Sequence, residues 1–251
     1  ICQIFGNGIN GFKYKKKLTL NAGNSGTCGR LILGACVGAK EKIRLTGDAS
    51  LKKRDFLRVI KPLKEFGANF FPRNKSKLPV KIIGSEFLTP ITYYENIGSA
   101  QVKSAICIAA LNSPGKTKII AQKSRNHTEL LFKHLKIPIK ISQRKNLNII
   151  EIEGQKNFDP FDYKIPGDIS SAAFIAVLTL LAQNSEVTIK NVNINPTRDG
   201  FVKILNKMGA GIKIHGKRKY NGEILGDIFI KSKKSFKAIN CPSTLNSSAI
   251  D

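Results

Sequence analysis

The residues in this chain best suited to chemistry are those that hold anions. Gly23-Asn24-Ser25-Gly26-Thr27 leads directly into an apolar helical pattern that carries Arg30, Leu31 and Leu33. A glycine-rich bend that opens a helix presents unpaired backbone N–H groups and the positive end of the helix dipole, a combination suited to phosphate or carboxylate. The same residues also fit an ordinary helix cap. Gly26 has no Cβ and leaves room for a ligand against the main chain. Ser99 and Gln101 stand at the head of a second such pattern, where Ser99 reads as an N-cap. Arg54, Arg125 and Arg198 each precede a further helical pattern. From there a guanidinium can grip a phosphate or carboxylate with paired hydrogen bonds, or pair with a neighbouring acid on the surface.

Other chemistries find little support. The three histidines, His127, His134 and His215, are not paired at metal-ligand spacing, so no metal site is expected. No GxSxG elbow and no Ser-His-Asp order argues for acyl transfer. The five cysteines (Cys2, Cys28, Cys36, Cys107, Cys241) are odd in number, scattered and without a CxxC pair, which points away from a disulfide scaffold and towards a reduced cytosolic setting.

The elements that would carry the anion-holding residues repeat. Helical patterns open at Ser25-Gly26-Thr27, Ser99-Ala100-Gln101 and Ser170-Ser171-Ala172. Second helices follow Arg54, Arg125 and Arg198. Both series advance by roughly 72 residues from copy to copy, and a fixed period of this kind is the signature of a repeated supersecondary unit. The distance from first-helix start to arginine is also nearly the same in all three copies. Each unit reads as a small-residue helix (102–111 in the middle copy), a strand (117–121), a second helix and two strands. The second helices carry apolar stripes Phe56, Ile60, Leu63 and Phe201, Leu205, Met208. Gly67 and Gly209 then supply left-handed stops. Strands are expected at 81–83, 148–152 and 212–214. The stretch Asp159 to Asp168, with two prolines, a glycine and three acids, breaks the rhythm and is the best candidate for a crossover between domains.

Composition agrees with a packed α/β protein. The chain has 251 residues, 41% hydrophobic, which excludes wholesale disorder. Its longest mostly apolar run, Ala172 to Ala182, has only 11 residues and carries Thr179, against about 20 for a membrane-spanning helix. No signal peptide is evident. The net charge of +25 suggests nucleic acid, but 33 of the 42 basic residues are lysines spread along the chain. The clusters at Lys13–Lys17 and Lys231–Lys234 therefore read as solvated faces, in a field that would still attract small anions.

Together, Gly23–Arg30, Gly47-Asp48-Ala49-Ser50-Leu51-Lys52-Lys53-Arg54, Ser99-Ala100-Gln101-Val102-Lys103-Ser104-Ala105, Ser124-Arg125-Asn126-His127-Thr128-Glu129 and Pro166–Ala172 resemble, in order and spacing, the signatures of the EPSP synthase family (3-phosphoshikimate 1-carboxyvinyltransferase). The Ser-Ala-Gln-Val-Lys-Ser-Ala form is similar to the bacterial subgroup called class II. The resemblance implies an α/β (α+β) fold: a two-domain, inside-out α/β barrel of repeated βαβαββ units, incomplete here at both ends. It implies that 1–164 is most of the N-terminal domain and that 165–251 is the first unit of the C-terminal one.

The resemblance also implies transfer of the enolpyruvyl group of phosphoenolpyruvate to the 5-hydroxyl of shikimate 3-phosphate, with no metal or organic cofactor. Carried over residue by residue, it places Gly26, Arg54 and Gln101 on phosphoenolpyruvate. Ser99, Ala100, Gln101 and Arg125 fall on shikimate 3-phosphate, Arg125 on its phosphate. Asn24, Thr27 and Arg30 shape the loop. Leu245–Asp251 resembles the segment of the catalytic aspartate, which makes Asp251 the base that takes the hydroxyl proton and a shikimate 3-phosphate contact. Glyphosate sensitivity is expected from the small residue at Gly26. The implied protein is a cytoplasmic monomer without nucleic-acid or membrane partners.

The lysine, serine and arginine that open the family's site have no counterpart before Ile1, and its later glutamate, arginines and lysine have none within the chain. The chain therefore reads as an internal fragment, expected to show no turnover alone. Two other readings compete. One is the sister enolpyruvyl transferase acting on UDP-N-acetylglucosamine, whose loop cysteine neither Cys28 nor Cys107 matches. The other is a basic nucleic-acid-binding protein, which lacks here an aromatic platform or an arginine stripe.

Overall fold

The structure, a computed structural model, describes residues 2–9 and 18–249. The Lys13–Lys17 cluster and Asp251 lie outside the described residues. One unit is built three times. In the first copy, β1 (Leu18–Asn21), β2 (Ile43–Thr46), β3 (Asn69–Phe71) and β4 (Val80–Ile83) form a sheet in the order β1-β2-β4-β3. In the second, β5 (Thr92–Glu95), β6 (Lys116–Gln122), β7 (Ile139–Arg144) and β8 (Leu147–Glu153) form β5-β6-β8-β7, the same order. Both sheets begin with a parallel pair, β1–β2 and β5–β6, and continue antiparallel. The third copy has β9 (Glu186–Asn193), β10 (Lys213–Tyr220) and β11 (Glu223–Lys231) in the order β10-β11-β9. Its first strand is reduced to a single parallel bridge between Gly167 and Val192.

The helices are α1 (Gly26–Ala35), α2 (Ala49–Lys53), α3 (Leu57–Glu65), α4 (Ala100–Asn112), α5 (His127–His134), α6 (Ile169–Leu181) and α7 (Gly200–Lys207). A parallel strand pair needs a crossover, and α1 and α4 are those crossovers. The expected βαβαββ pattern is thus the observed one. The α3 stripe is buried as read, with Phe56, Ile60 and Leu63 at 1% exposure or less. In α7 the expected trio is only half-buried, and Val202 is its buried residue. Gly67 and Gly209 take positive φ at the ends of α3 and α7.

The third first-helix departs from the expected start. Asp168, not Ser170, is the N-cap of α6, and its carboxylate accepts from the Ser171 N–H at 3.0 Å. A carboxylate is a strong N-cap acceptor, so the helix begins before the serine pair rather than after it.

The chain divides into two compact units, 1–123 with 136–159, and 124–135 with 160–251. In the first, α1 and α4 pack tightly enough that a Cβ on Gly34 would lie 2.3 Å from the Ala105 carbonyl oxygen. Small residues allow this approach, and α4 is buried on almost every side, Val102, Ala105, Ile106, Cys107, Ala109 and Ala110 included. In the second unit, Ile169, Ala172, Ala176 and Leu180 of α6 pack with Val192, Ile228 and Ile230 of the sheet. Among the described residues no helix is long and apolar enough to cross a membrane.

Candidate functional site

The bend between β1 and α1 is held from both sides. The Asn21 side chain accepts from Gly23 N–H at 3.0 Å, and the Ser25 hydroxyl caps α1 by accepting from Cys28 N–H at 3.0 Å. Asn24 Nδ2 donates to Asp48 Oδ2 at 2.5 Å, while Asp48 Oδ1 caps α2 through Leu51 N–H at 2.7 Å. The Leu51 N–H, then Asn24, hold the Asp48 carboxyl below its usual range. Asn24 therefore ties the bend to the helix that leads to Arg54.

Arg30 is the centre of the site. Its Nη1 donates to Gln101 Oε1 at 3.0 Å and to the Gly26 carbonyl at 3.4 Å, and its Nη2 donates to the Asp55 carbonyl at 3.0 Å. Its guanidinium lies 4.9 Å from the centre of the Phe56 ring. Gln101 completes the arrangement by donating from Nε2 to Thr27 Oγ1 at 2.7 Å, so its amide is oriented from both ends. Over Gly26 the two guanidiniums close in. A Cβ there would sit 2.7 Å from Arg30 Nη1 and 3.3 Å from Arg54 Nη1.

Among the described residues neither Arg30 nor Arg54 has a carboxylate at ion-pair distance. Burial first, then the charges of Arg54 and Arg58, push the Arg30 pKa down, against a smaller opposing pull from Asp55. Like charges crowded at a helix N-terminus, with Asp55 and Asp48 near but at no ion-pair distance among the described residues, form a site that an anion would complete.

The structure thus brings together Asn24, Gly26, Thr27, Arg30, Arg54 and Gln101, with Ser99 as the N-cap of α4 and Ala100 as its first residue. Arg125 belongs to the other compact unit, half-buried ahead of α5. Asp251 lies outside the described residues. The third arginine of the series is closed off: Arg198 Nη1 pairs with Asp168 Oδ1 at 2.8 Å, and Nη2 donates to Ser170 Oγ at 2.5 Å. Burial raises the Asp168 pKa but is outweighed by Ser171 N–H and Arg198, so the group titrates low.

Several contributors carried no sequence signal of their own. Glu223 of β11, 4% exposed, has Oε1 2.5 Å from His127 Nδ1 and Oε2 accepting from Asn195 Nδ2 at 3.1 Å. Asn195 Nδ2 also donates to Asn126 Oδ1 at 2.8 Å. These bonds fasten the start of α5, next to Arg125, to the third sheet. Burial tends to raise the Glu223 pKa, yet the His127 contact and the two asparagines pull it below its ordinary value. Glu95, at the end of β5, is a further contributor. It stands as far beyond Asn21 as Ser99 stands beyond Ser25, and that spacing was the signal available.

The fold defines the class, an α/β protein of repeated βαβαββ units. The family model for EPSP synthase (3-phosphoshikimate 1-carboxyvinyltransferase) matches residues 3–244, and the chain belongs to that family. A 3-phosphoshikimate 1-carboxyvinyltransferase of Petrotoga mobilis is 41% identical over 215 residues, covering 85% of this chain and 49% of that protein. One from Thermodesulfovibrio yellowstonii is 40% identical over 249 residues, 99% of this chain and 57% of that protein. The solved EPSP synthase of Acinetobacter baumannii superposes with a TM-score of 0.79 at 36% identity, over 92% of this chain and 52% of that one. The chain spans about half the length of the relatives it matches. The family and these names do not favour the UDP-N-acetylglucosamine or nucleic-acid readings.

Proposed function

We propose that this chain contributes the first half of the substrate grip of a 3-phosphoshikimate 1-carboxyvinyltransferase. In that reaction the 5-hydroxyl of shikimate 3-phosphate attacks C2 of phosphoenolpyruvate while C3 takes a proton. The tetrahedral intermediate then loses phosphate to leave the enolpyruvyl ether. Holding two polyanions in register and stabilising the charge that develops is the physical task. Gly26, Arg54 and Gln101 take phosphoenolpyruvate; Ser99, Ala100, Gln101 and Arg125 take shikimate 3-phosphate; Asp251 removes the hydroxyl proton. Asn24, Thr27 and Arg30 hold the bend. The proposed setting is a cytoplasmic monomer acting on small molecules, with 1–164 and 165–251 as parts of two enolpyruvyl transferase domains.

One observation carries the reading: Arg30 and Arg54 converge over Gly26 at the start of α1 with no carboxylate paired to either among the described residues. Calorimetry on the full-length gene product tests it. Shikimate 3-phosphate is expected to bind alone and to strengthen phosphoenolpyruvate binding, while UDP-N-acetylglucosamine gives no heat. Binding of the sugar nucleotide instead, or salt-steep RNA binding indifferent to shikimate 3-phosphate, would refute it.

A further inference from the structure

Glu95 ends β5 and is 4% exposed. Its Oε1 accepts from Ile97 N–H at 3.2 Å, and its Oε2 accepts from Gly98 N–H at 2.7 Å and Ser99 N–H at 3.0 Å. Three successive amides wrapped on one carboxylate bend the chain tightly between β5 and α4, with Gly98 at φ +76. The bend delivers Ser99, whose hydroxyl accepts from Val102 N–H and so sets where the helix starts. The first repeat uses the same place. Asn21 ends β1 four residues before its cap Ser25, as Glu95 stands four before Ser99, and each closes its parallel register, Asn21 against Thr46 and Glu95 against Ala121. Asn21 holds one amide of its bend; Glu95 holds three. A buried carboxylate is costly unless donors surround it, and here they do.

We propose that Glu95 is a positioning residue for shikimate 3-phosphate: an internal anion that fixes the backbone delivering Ser99, Ala100 and Gln101. This rests on the reading of those three residues as substrate contacts. Glu95 itself touches no substrate. It consumes the amides of residues 97–99, leaving those of Ala100 and Gln101 among the unpaired first-turn donors of α4.

The test uses the full-length gene product with Glu95→Ala, Glu95→Leu and Glu95→Gln. In Glu95→Ala the three amides lose their acceptor, and the dissociation constant for shikimate 3-phosphate rises about tenfold, as loss of charge-assisted hydrogen bonds implies. The KM for phosphoenolpyruvate rises by less, since of the three residues delivered only Gln101 is read as touching it, and kcat moves by less than about threefold, the pattern of lost binding rather than lost chemistry. Added formate, a carboxylate small enough for the vacated space, restores the affinity of Glu95→Ala but not of Glu95→Leu, whose side chain fills it. Wild-type affinity in Glu95→Ala, or a loss that formate leaves unchanged in a folded protein, overturns the proposal. Should Glu95→Ala fail to fold, Glu95→Gln decides: it keeps one acceptor, and unchanged shikimate 3-phosphate affinity overturns the proposal while weakened affinity with kcat retained upholds it. Failure of the wild type to bind shikimate 3-phosphate would instead refute the proposed function itself.

Discussion

Gly26→Ala is the sharpest perturbation of the candidate site because the new Cβ pushes directly on the Arg30 guanidinium. The new Cβ would sit 2.7 Å from Arg30 Nη1, whereas ordinary contact begins at 3.4 Å, so the guanidinium must retreat by about 0.7 Å. It cannot pivot freely. Nη2 is held by the Asp55 carbonyl, Phe56 underlies the group, and Arg54 Nη1 is itself only 3.3 Å from the same Cβ. The bond most exposed to the shift is Arg30 Nη1 to Gln101 Oε1, now 3.0 Å. Lengthened by that amount it falls outside hydrogen-bonding range. A hydrogen bond to a charged group contributes about 1.5–3 kcal/mol, and each 1.4 kcal/mol is about a factor of ten in affinity.

The expected result is a KM for phosphoenolpyruvate raised about tenfold or more, with glyphosate inhibition weakened in parallel and a smaller rise in the dissociation constant of shikimate 3-phosphate, which Ser99, Ala100 and Arg125 would still hold. The fold is expected to lose some stability too, because the lost Arg30–Gln101 bond, about 1.5–3 kcal/mol, outweighs the helical preference for alanine over glycine of up to about 1 kcal/mol. Steady-state kinetics on the full-length gene product, with a thermal melt beside them, give both readings. An unchanged KM for phosphoenolpyruvate would refute the reasoning, since it would mean that Arg30 and Arg54 can be moved apart without consequence for the anion. A lowered KM would refute it as well.

Three further outcomes follow from the geometry. Gly34→Ala drives a Cβ to 2.3 Å from the Ala105 carbonyl oxygen, a backbone atom with nowhere to go. Overpacking of this kind costs about 1–3 kcal/mol or more, so a melting temperature lowered by roughly 2–12 °C is expected, and an unchanged melt would show that α1 and α4 are not in contact. The Glu223 carboxyl, held below its ordinary 4.5 in the fold, contributes stability that is present above that value and is lost as pH falls through the lower folded one. Urea melts of Glu223→Gln should accordingly lose less stability between about pH 5 and pH 3 than the wild type, and parallel curves would count against the His127–Glu223 anchor. Burial pushes the Cys36 thiol up to about 12, and Cys107 is also buried, whereas Cys2, Cys28 and Cys241 are exposed. A disulfide-exchange reagent should therefore find three fast thiols and two that wait for unfolding; five equal rates would contradict the packing.

The repeat and most of its helix boundaries were legible because they rest on local causes, serine caps, glycine stops and the 3.6-residue stripe of α3, though the start of α6 was misplaced because its cap is Asp168. The grouping of Gly26, Arg54 and Gln101 was legible only through the motifs, and Arg30, the bridge between Gly26 and Gln101, is visible in them merely as a residue that shapes the loop. What escaped depends on partners distant in sequence. The run from Ala172 to Ala182 is apolar on both faces, so no pattern could tell that Phe174, Leu178 and Leu181 are more than 60% exposed while Ala176 and Leu180 are buried. Nothing near Lys103 indicates that it is wholly buried. The fastening of α5 to the third sheet depends on Glu223, far along the chain from His127, and no spacing rule reaches that far.

The three arginines show how one unit yields different sites. Each stands at the same place in its copy, yet the surroundings assign them different fates. In the first copy the cap is Ser25, neutral, and Arg54 faces Arg30 across Gly26 with no carboxylate paired to either among the described residues. In the third the cap is Asp168, and its carboxylate pairs with Arg198 at 2.8 Å. In the second, Arg125 has gone with α5 into the other compact unit, held there through Asn126 and His127, while its cap Ser99 stays behind on α4. The third copy thus closes its arginine in an ion pair with its own helix cap, and the first copy does not. Repetition built the scaffold; the departures from it decide where a ligand can be held.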